Sequence, residues 1–201
     1  MPRDKTLTHI KVMDAARDEF MKYGFEKASM RSIAKRCGMT AAGLYRHCTD
    51  KEDLFDQLVT PAVQRIEKWQ EDHVSRYKSI LSQGKAVWQD SWVDMMREAV
   101  YPHMDEYYLL IAKSRGSKYC NYLDTMAERS LEEFWSYLPR IRNGHESVPE
   151  ISRRELQMLV NAYIKALFDP VAHCYSREDA LACLETVEAF FLPGWKKLTG
   201  L

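Results

Sequence analysis

The sequence predicts an all-α protein, with an N-terminal three-helix helix-turn-helix unit followed by a larger helical domain. Three observations carry this. Apolar residues recur at three-and-four spacing along most of the chain, no stretch alternates with the period of a half-buried strand, and Gly and Pro punctuate the stripes at helical lengths. With 201 residues the chain is long enough to bury a substantial core.

The first helix is expected from Thr8, as N-cap, to Tyr23. Val12, Ala16, Phe20 and Tyr23 line its inward side and Gly24 ends it. The second starts at Ser29 and turns Met30, Ile33, Ala34 and Cys37 inward; Gly38 then supplies a left-handed residue for a tight turn. The third opens at Thr40 and ends near His47. Asp50 caps a fourth helix, with Asp53 three residues on in an approximate capping box, and Pro61 is expected to kink or divide it. Further helices are expected over 85–101, 103–112, 117–137, 152–171 and 176–198, separated by SQGK, YPH, SRGS and RNGHESVPE. The expected division is a three-helix unit over 1–49 and a larger helical domain over 50–201.

Lysine plus arginine equals aspartate plus glutamate, 29 of each, so no global field selects a nucleic acid or an anionic membrane. The charge is nonetheless uneven: from Lys22 to Lys51 seven basic residues face two acidic ones, a local net of +5. Five irregularly spaced cysteines, a polar basic N-terminus and the absence of a long apolar run lead to the expectation of reduced thiols, no membrane span and a cytoplasmic protein.

The stretch CGMTAAGLYRHCTDK, from Cys37 to Lys51, carries the chemistry. Two short helices joined by a glycine-containing turn form a helix-turn-helix pattern, whose second helix enters the major groove of DNA. Leu44 and Cys48 face inward, while Ala42, Tyr45 and Arg46 face outward. Small residues at Ala41, Ala42 and Gly43 let the helix start approach a duplex. Thr40 can reach a phosphate, and Lys51 opens the next helix beside the backbone. The same outward cluster could instead pack against another part of the chain.

The segment AARDEFMKYGFEKASMRSIAKRCGMTAAGLYRHCTDKEDL resembles the N-terminal domain of the TetR family of bacterial transcriptional regulators. The resemblance is carried by Ala15-Ala16, Phe20, Gly24-Phe25, Ile33-Ala34, Gly38, Leu44-Tyr45, His47 and Lys51-Glu52. Cys48 departs from it, the family usually having phenylalanine there, and Ala41-Ala42-Gly43 lacks the longer side chains many members use to read bases. The resemblance implies that Ser29 and Arg31 contact the DNA backbone and a groove edge. It also implies that Thr40, Tyr45, His47 and Lys51 hold phosphates and that Arg46 reads a base, in the manner of a bidentate contact to guanine. It further implies a homodimer on a palindromic operator, released when a small molecule enters the larger domain.

In that domain Leu156, Leu159, Val160, Tyr163 and Leu167 form one apolar stripe, and Leu181, Leu184, Val187 and Phe191 another. Such stripes serve a core or an interface. The resemblance implies pairing with their copies, with Leu156, Val160, Tyr163, Leu167, Leu181, Leu184, Val187 and Phe191 as interface candidates. Trp88, Trp92, Met95, Met96, Tyr107, Tyr108 and Tyr122 are either core or the lining of a site for an apolar or aromatic effector. No phosphate-binding loop, HExxH, nucleophile elbow or CxxC is present, so no enzymatic activity, metal or cofactor is expected. His173-Cys174 with Cys183 makes a poor metal set, since adjacent helical residues point about 100° apart. The alternative reading is a helical small-molecule binding protein whose N-terminal unit mediates protein contacts.

Overall fold

The computed structural model describes residues 5–82, 91–141 and 148–200, and among them every regular element is helical. The chain forms two compact units. The first comprises the residues up to Gln64 together with Asp105–Cys120; the second comprises Arg65–Met104 and the chain from Asn121 onward.

In the first unit α1 (Lys5–Lys27) is interrupted at Gly24, whose φ of 73° only glycine adopts at little cost. The helix is already formed at Lys5, so Thr8 is not its cap. Tyr23, expected inward, is exposed. The left-handed turn at Gly24 swings Phe25 into the core instead, where Phe20, Phe25 and Phe55 pack ring against ring with centroids 5.0–6.1 Å apart. Phe55 belongs to α4 (Lys51–Ser82), so this core extends beyond Thr49.

The start of α4 is held by two carboxylates. Asp50 accepts from the Asp53 N–H at 2.8 Å, and Asp53 reaches back to the Thr49 N–H at 2.7 Å, one residue before the cap. The Thr49 N–H, and then the Gln57 amide, hold the Asp53 carboxyl below its ordinary range. Pro61 does not divide α4. Burial of Leu58, Val59 and Ala62 around it outweighs one missing backbone bond.

The helix expected from Ser117 begins later, as α7 at Tyr122. The segment before it is engaged elsewhere: the Lys118 N–H donates to Glu52 at 2.9 Å, the Lys118 ammonium pairs with Asp56 at 2.7 Å, and the Tyr119 hydroxyl donates to Asp56. The Tyr119 N–H donates to Ser117 Oγ, a local side-chain bond that competes with a helical turn.

In the second unit α5 (Ser91–Met95) runs into a π-helical turn (Met96–Val100) and a 3-10 turn (Tyr101–His103); α6 (Met104–Ala112), from Asp105 onward, belongs to the first unit. Then come α7 (Tyr122–Ile141), α8 (Arg153–Ala172) and α9 (Arg177–Thr199). Ser152 and Glu155 form a full capping box at the start of α8, and Ser176 caps α9. The α8 terminus places Cys174 at φ 54°, where the Tyr175 N–H donates to the Pro170 carbonyl at 2.9 Å. Packing of α7, α8 and α9 centres on Trp195, whose ring meets Phe134, Tyr163 and Phe191 at 5.8–6.4 Å.

Candidate nucleic-acid interface

The turn after α2 (Met30–Arg36) is fixed by backbone bonding. Cys37 closes the helix, Gly38 takes φ 66°, the Gly38 N–H donates to Lys35 and the Met39 N–H to Ala34. This six-to-one and five-to-two pairing is a Schellman motif, which satisfies carbonyls a helix end would leave open. It delivers the chain to Thr40, whose hydroxyl accepts from the Gly43 N–H at 3.1 Å and caps α3 (Ala41–Leu44). The helical path then tightens: the Arg46 N–H bonds Gly43 and the His47 N–H bonds Leu44, so 45–47 form turns rather than a further α-turn.

Leu44 and Cys48 are buried, as their spacing required, and burial pushes the Cys48 thiol up to about 11. Outside, Ser29, Arg31, Thr40, Ala42, Tyr45 and Arg46 are exposed, while Ala41, Gly43, His47 and Lys51 are partly covered. Tyr45 shows 52% of its surface.

At the other end of the motif Ser29 caps α2, accepting from the Ser32 N–H. Glu19 anchors this end although it is only 2% exposed: its carboxylate accepts from the Ser29 N–H at 3.2 Å and from the Ser32 hydroxyl at 2.8 Å. Arg36 pairs with Asp18 at 3.3 Å and approaches Glu19 at 3.8 Å. Among the described residues no carboxylate pairs with Arg31, Lys35 or Arg46. An open groove of about 450 Å³ is lined by Arg31, Ala34, Lys35, Gly38, Met39, Thr40 and Ala41. Lys35 is the addition here that spacing did not single out; it entered only as one charge among seven. Lys51 is differently placed. Its ammonium donates to the Glu26 carbonyl at 3.2 Å and lies 4.5 Å from the Phe25 ring centre, so it also ties α4 to α1.

Gly43 bears on why small residues stand here. A Cβ added to it would come no closer than 3.4 Å to Thr40 Oγ1 and 3.5 Å to Met39. The unit's own packing therefore does not demand glycine at this position, in contrast to Gly24 and Gly38, which take left-handed backbones.

The effector candidates separate. Tyr107 and Tyr108 lie in the first unit, where Tyr107 is fully buried and donates to the Ala62 carbonyl at 3.1 Å. Trp92, Met95, Met96 and Tyr122 lie in the second, with both methionines fully buried. Trp88 lies outside the described residues.

Of the interface candidates on the last two helices, five are taken up by the chain's own packing and three remain half-covered. Leu156, Val160, Tyr163, Leu167 and Leu184 are buried within the chain, and Leu181, Val187 and Phe191 are half-covered. Phe191 packs on Tyr163 at 4.9 Å. The stripes fill the contacts among α7, α8 and α9. The outer face carries other apolar groups: Met158 is 63% and Phe190 77% exposed, with Ala162, Ala182 and Ala189 open on the same helices.

Residues 12–58 match the family described as bacterial regulatory proteins, tetR family. Over 52 residues the chain is 36% identical to the HTH-type transcriptional regulator UidR of Escherichia coli K12, covering 26% of each chain. Over 55 residues it is 33% identical to the HTH-type transcriptional repressor Rv1474c of Mycobacterium tuberculosis, covering 27% of this chain and 29% of that one. The match thus spans about a quarter of the length of these curated relatives. The fold is similar to that of NalD, the secondary repressor of the MexAB-OprM multidrug efflux pump in Pseudomonas aeruginosa. That likeness has a TM-score of 0.50 at 18% identity, over 92% of this chain and 96% of NalD, and it concerns the fold alone. Over residues 12–58 the chain is thus similar to the N-terminal segment of the tetR family of bacterial regulatory proteins.

Proposed function

We propose that the chain is a DNA-binding transcriptional regulator, a repressor that occupies a palindromic operator as a homodimer and leaves it when a small apolar or aromatic effector binds. The observation that carries this reading is the basic surface around α3. Among the described residues Arg31, Lys35 and Arg46 have no carboxylate partner, and Arg31 and Lys35 line a groove at a helix start whose small residues leave room for a duplex. Arg31, Lys35 and Thr40 suit phosphate oxygens, with Ser29, Tyr45, His47 and Lys51 around them, while Arg46 is placed for a base edge. One such unit reads too few bases for strong specificity, which favours a dimer and a palindrome. The outer face with Met158 and Phe190 supplies an apolar surface for a second copy. The name of Rv1474c supports repression over activation. An effector that prefers the DNA-free form weakens operator binding by linkage.

The test is a gel shift of the full chain with duplexes flanking its own gene. A complex that resists random competitor, and weakens by about a thousandfold between 50 and 200 mM salt, is expected for six or more phosphate contacts per dimer. No preference for flanking DNA would overturn the reading in favour of an N-terminal unit that contacts protein.

A further inference from the structure

We propose that Glu19 is a positioning residue for DNA binding: with Asp18 it sets the roll of α2 about its own axis, so that Arg31 and Lys35 face the duplex. This deepens the reading of the chain as a DNA-binding regulator and rests on it.

A helix of seven residues has little with which to fix its own rotation, and α2 buries only Ile33 and Ala34. Two adjacent apolar side chains hold the helix down but determine its roll weakly. Polar contacts on one flank supply the rest. Ser32 and Arg36 stand at i and i+4 and share that flank. Both meet carboxylates of α1: the Ser32 hydroxyl donates to Glu19 at 2.8 Å, and the Arg36 guanidinium lies 3.3 Å from Asp18 and 3.8 Å from Glu19. Glu19 also accepts from the Ser29 N–H at 3.2 Å, so it holds the cap of the helix as well as its flank. Arg31 and Lys35, likewise at i and i+4, lie one residue round the helix from that pair, and both line the open groove beside Thr40 and Ala41. One flank is tied to α1, and the neighbouring flank turns its two cations outward.

The contacts differ in firmness. The Asp18–Arg36 pair is exposed, so water and salt weaken it. Glu19 is buried, where hydrogen bonds are stronger and losing a partner is costly. Its burial is tolerated because both oxygens are occupied, Oε1 by the Ser29 N–H and Oε2 by the Ser32 hydroxyl. Glu19 is therefore the firm point of attachment.

Charge and positioning predict opposite signs for its removal. Taking an acid away from a unit that faces a polyanion tightens binding by charge alone, whereas a loosened roll weakens it. Glu19→Leu replaces a buried carboxylate by an apolar group of similar size, a change often neutral for stability. Ser32→Ala cuts the same bond from the half-covered side, and decides alone if Glu19→Leu does not fold. Each full-length variant is titrated with the labelled duplex flanking its own gene over a salt series, at a temperature where circular dichroism shows it folded. Glu19→Leu should bind about tenfold more weakly, with a salt slope lower by up to about two units per half-site, one for each cation turned away. Ser32→Ala should move both quantities in the same direction, with a loss of about threefold. In a chain already carrying Arg31→Ala and Lys35→Ala, either change should cost less than about twofold. Unchanged or tighter binding by a folded variant, an unchanged salt slope, or a loss that persists in the Arg31→Ala, Lys35→Ala chain would overturn the proposal. Wild type that ignores the flanking duplex overturns the regulator reading and this proposal with it. Wild type that binds the duplex without this coupling to Glu19 overturns the positioning role alone.

Discussion

The molecule presents two outward surfaces of opposite chemistry. Around α2 and α3 the exposed groups are cationic, small or hydroxylated: Arg31, Lys35, Thr40, Ala42 and Arg46. On the outer faces of α8 and α9 they are apolar, led by Met158 and Phe190. Among the described residues the first surface holds charges without carboxylate partners, and the second holds apolar area that its own core leaves uncovered. Charge without a counter-charge suits a polyanion, and uncovered apolar area suits another apolar surface. The lesson is that each surface is recognised by what the chain does not satisfy internally. Arg36 sharpens the point, since it stands beside Lys35 in sequence yet is paired with Asp18.

Salt should break the symmetry between them most strongly. Raising it from 50 to 200 mM is expected to lower duplex affinity by about a thousandfold, while sedimentation continues to report a dimer, because apolar burial is not screened. Charged substitutions on the apolar face come next. Met158→Glu with Phe190→Glu should give a monomer at micromolar concentration in sedimentation, with operator affinity falling as the second half-site is lost. Leu184→Ala should behave differently. It lies inside the chain, so it should cost about 2–5 kcal/mol of unfolding free energy in denaturant titration and leave the association constant of the folded dimer nearly unchanged.

On the basic surface, Arg46→Ala should cost roughly 1–3 kcal/mol per half-site at one operator position and relax specificity there. Lys35→Ala should weaken all sequences alike and lower the salt slope by about one unit per half-site. The smallest change touches neither surface. Cys174→Gly relieves a left-handed cysteine and should raise stability by about 1 kcal/mol by thermal melting, leaving both affinities as they were.

How far the sequence disclosed this differs between the same two regions. In the first, local rules suffice: Ser29 and Thr40 cap, Gly24 and Gly38 take left-handed turns, and Leu44 and Cys48 point inward, since each depends on residues a few positions away. What escaped was set by distant partners. Glu19 reaches across ten residues to hold the start of α2, and charge counting cannot separate paired Arg36 from Lys35. On α8 and α9 periodicity identified which residues share a face, but the sidedness depends on α7. Its packing claims the Leu156 and Leu184 stripes for the core and leaves Met158 and Phe190 outside. The π-turn at Met96–Val100 leaves no trace in a three-and-four pattern.

The central claim, that the small, basic surface of α3 admits DNA independently of the apolar face, is tested most directly by Ala42→Glu. Ala42 is exposed, so the substitution leaves the fold alone while placing an acid at the helix entry. In parallel titrations of a labelled flanking duplex, the variant should show no specific complex while sedimenting as a dimer and melting like wild type. Operator binding by the Ala42→Glu dimer as tight as that of wild type would contradict the claim.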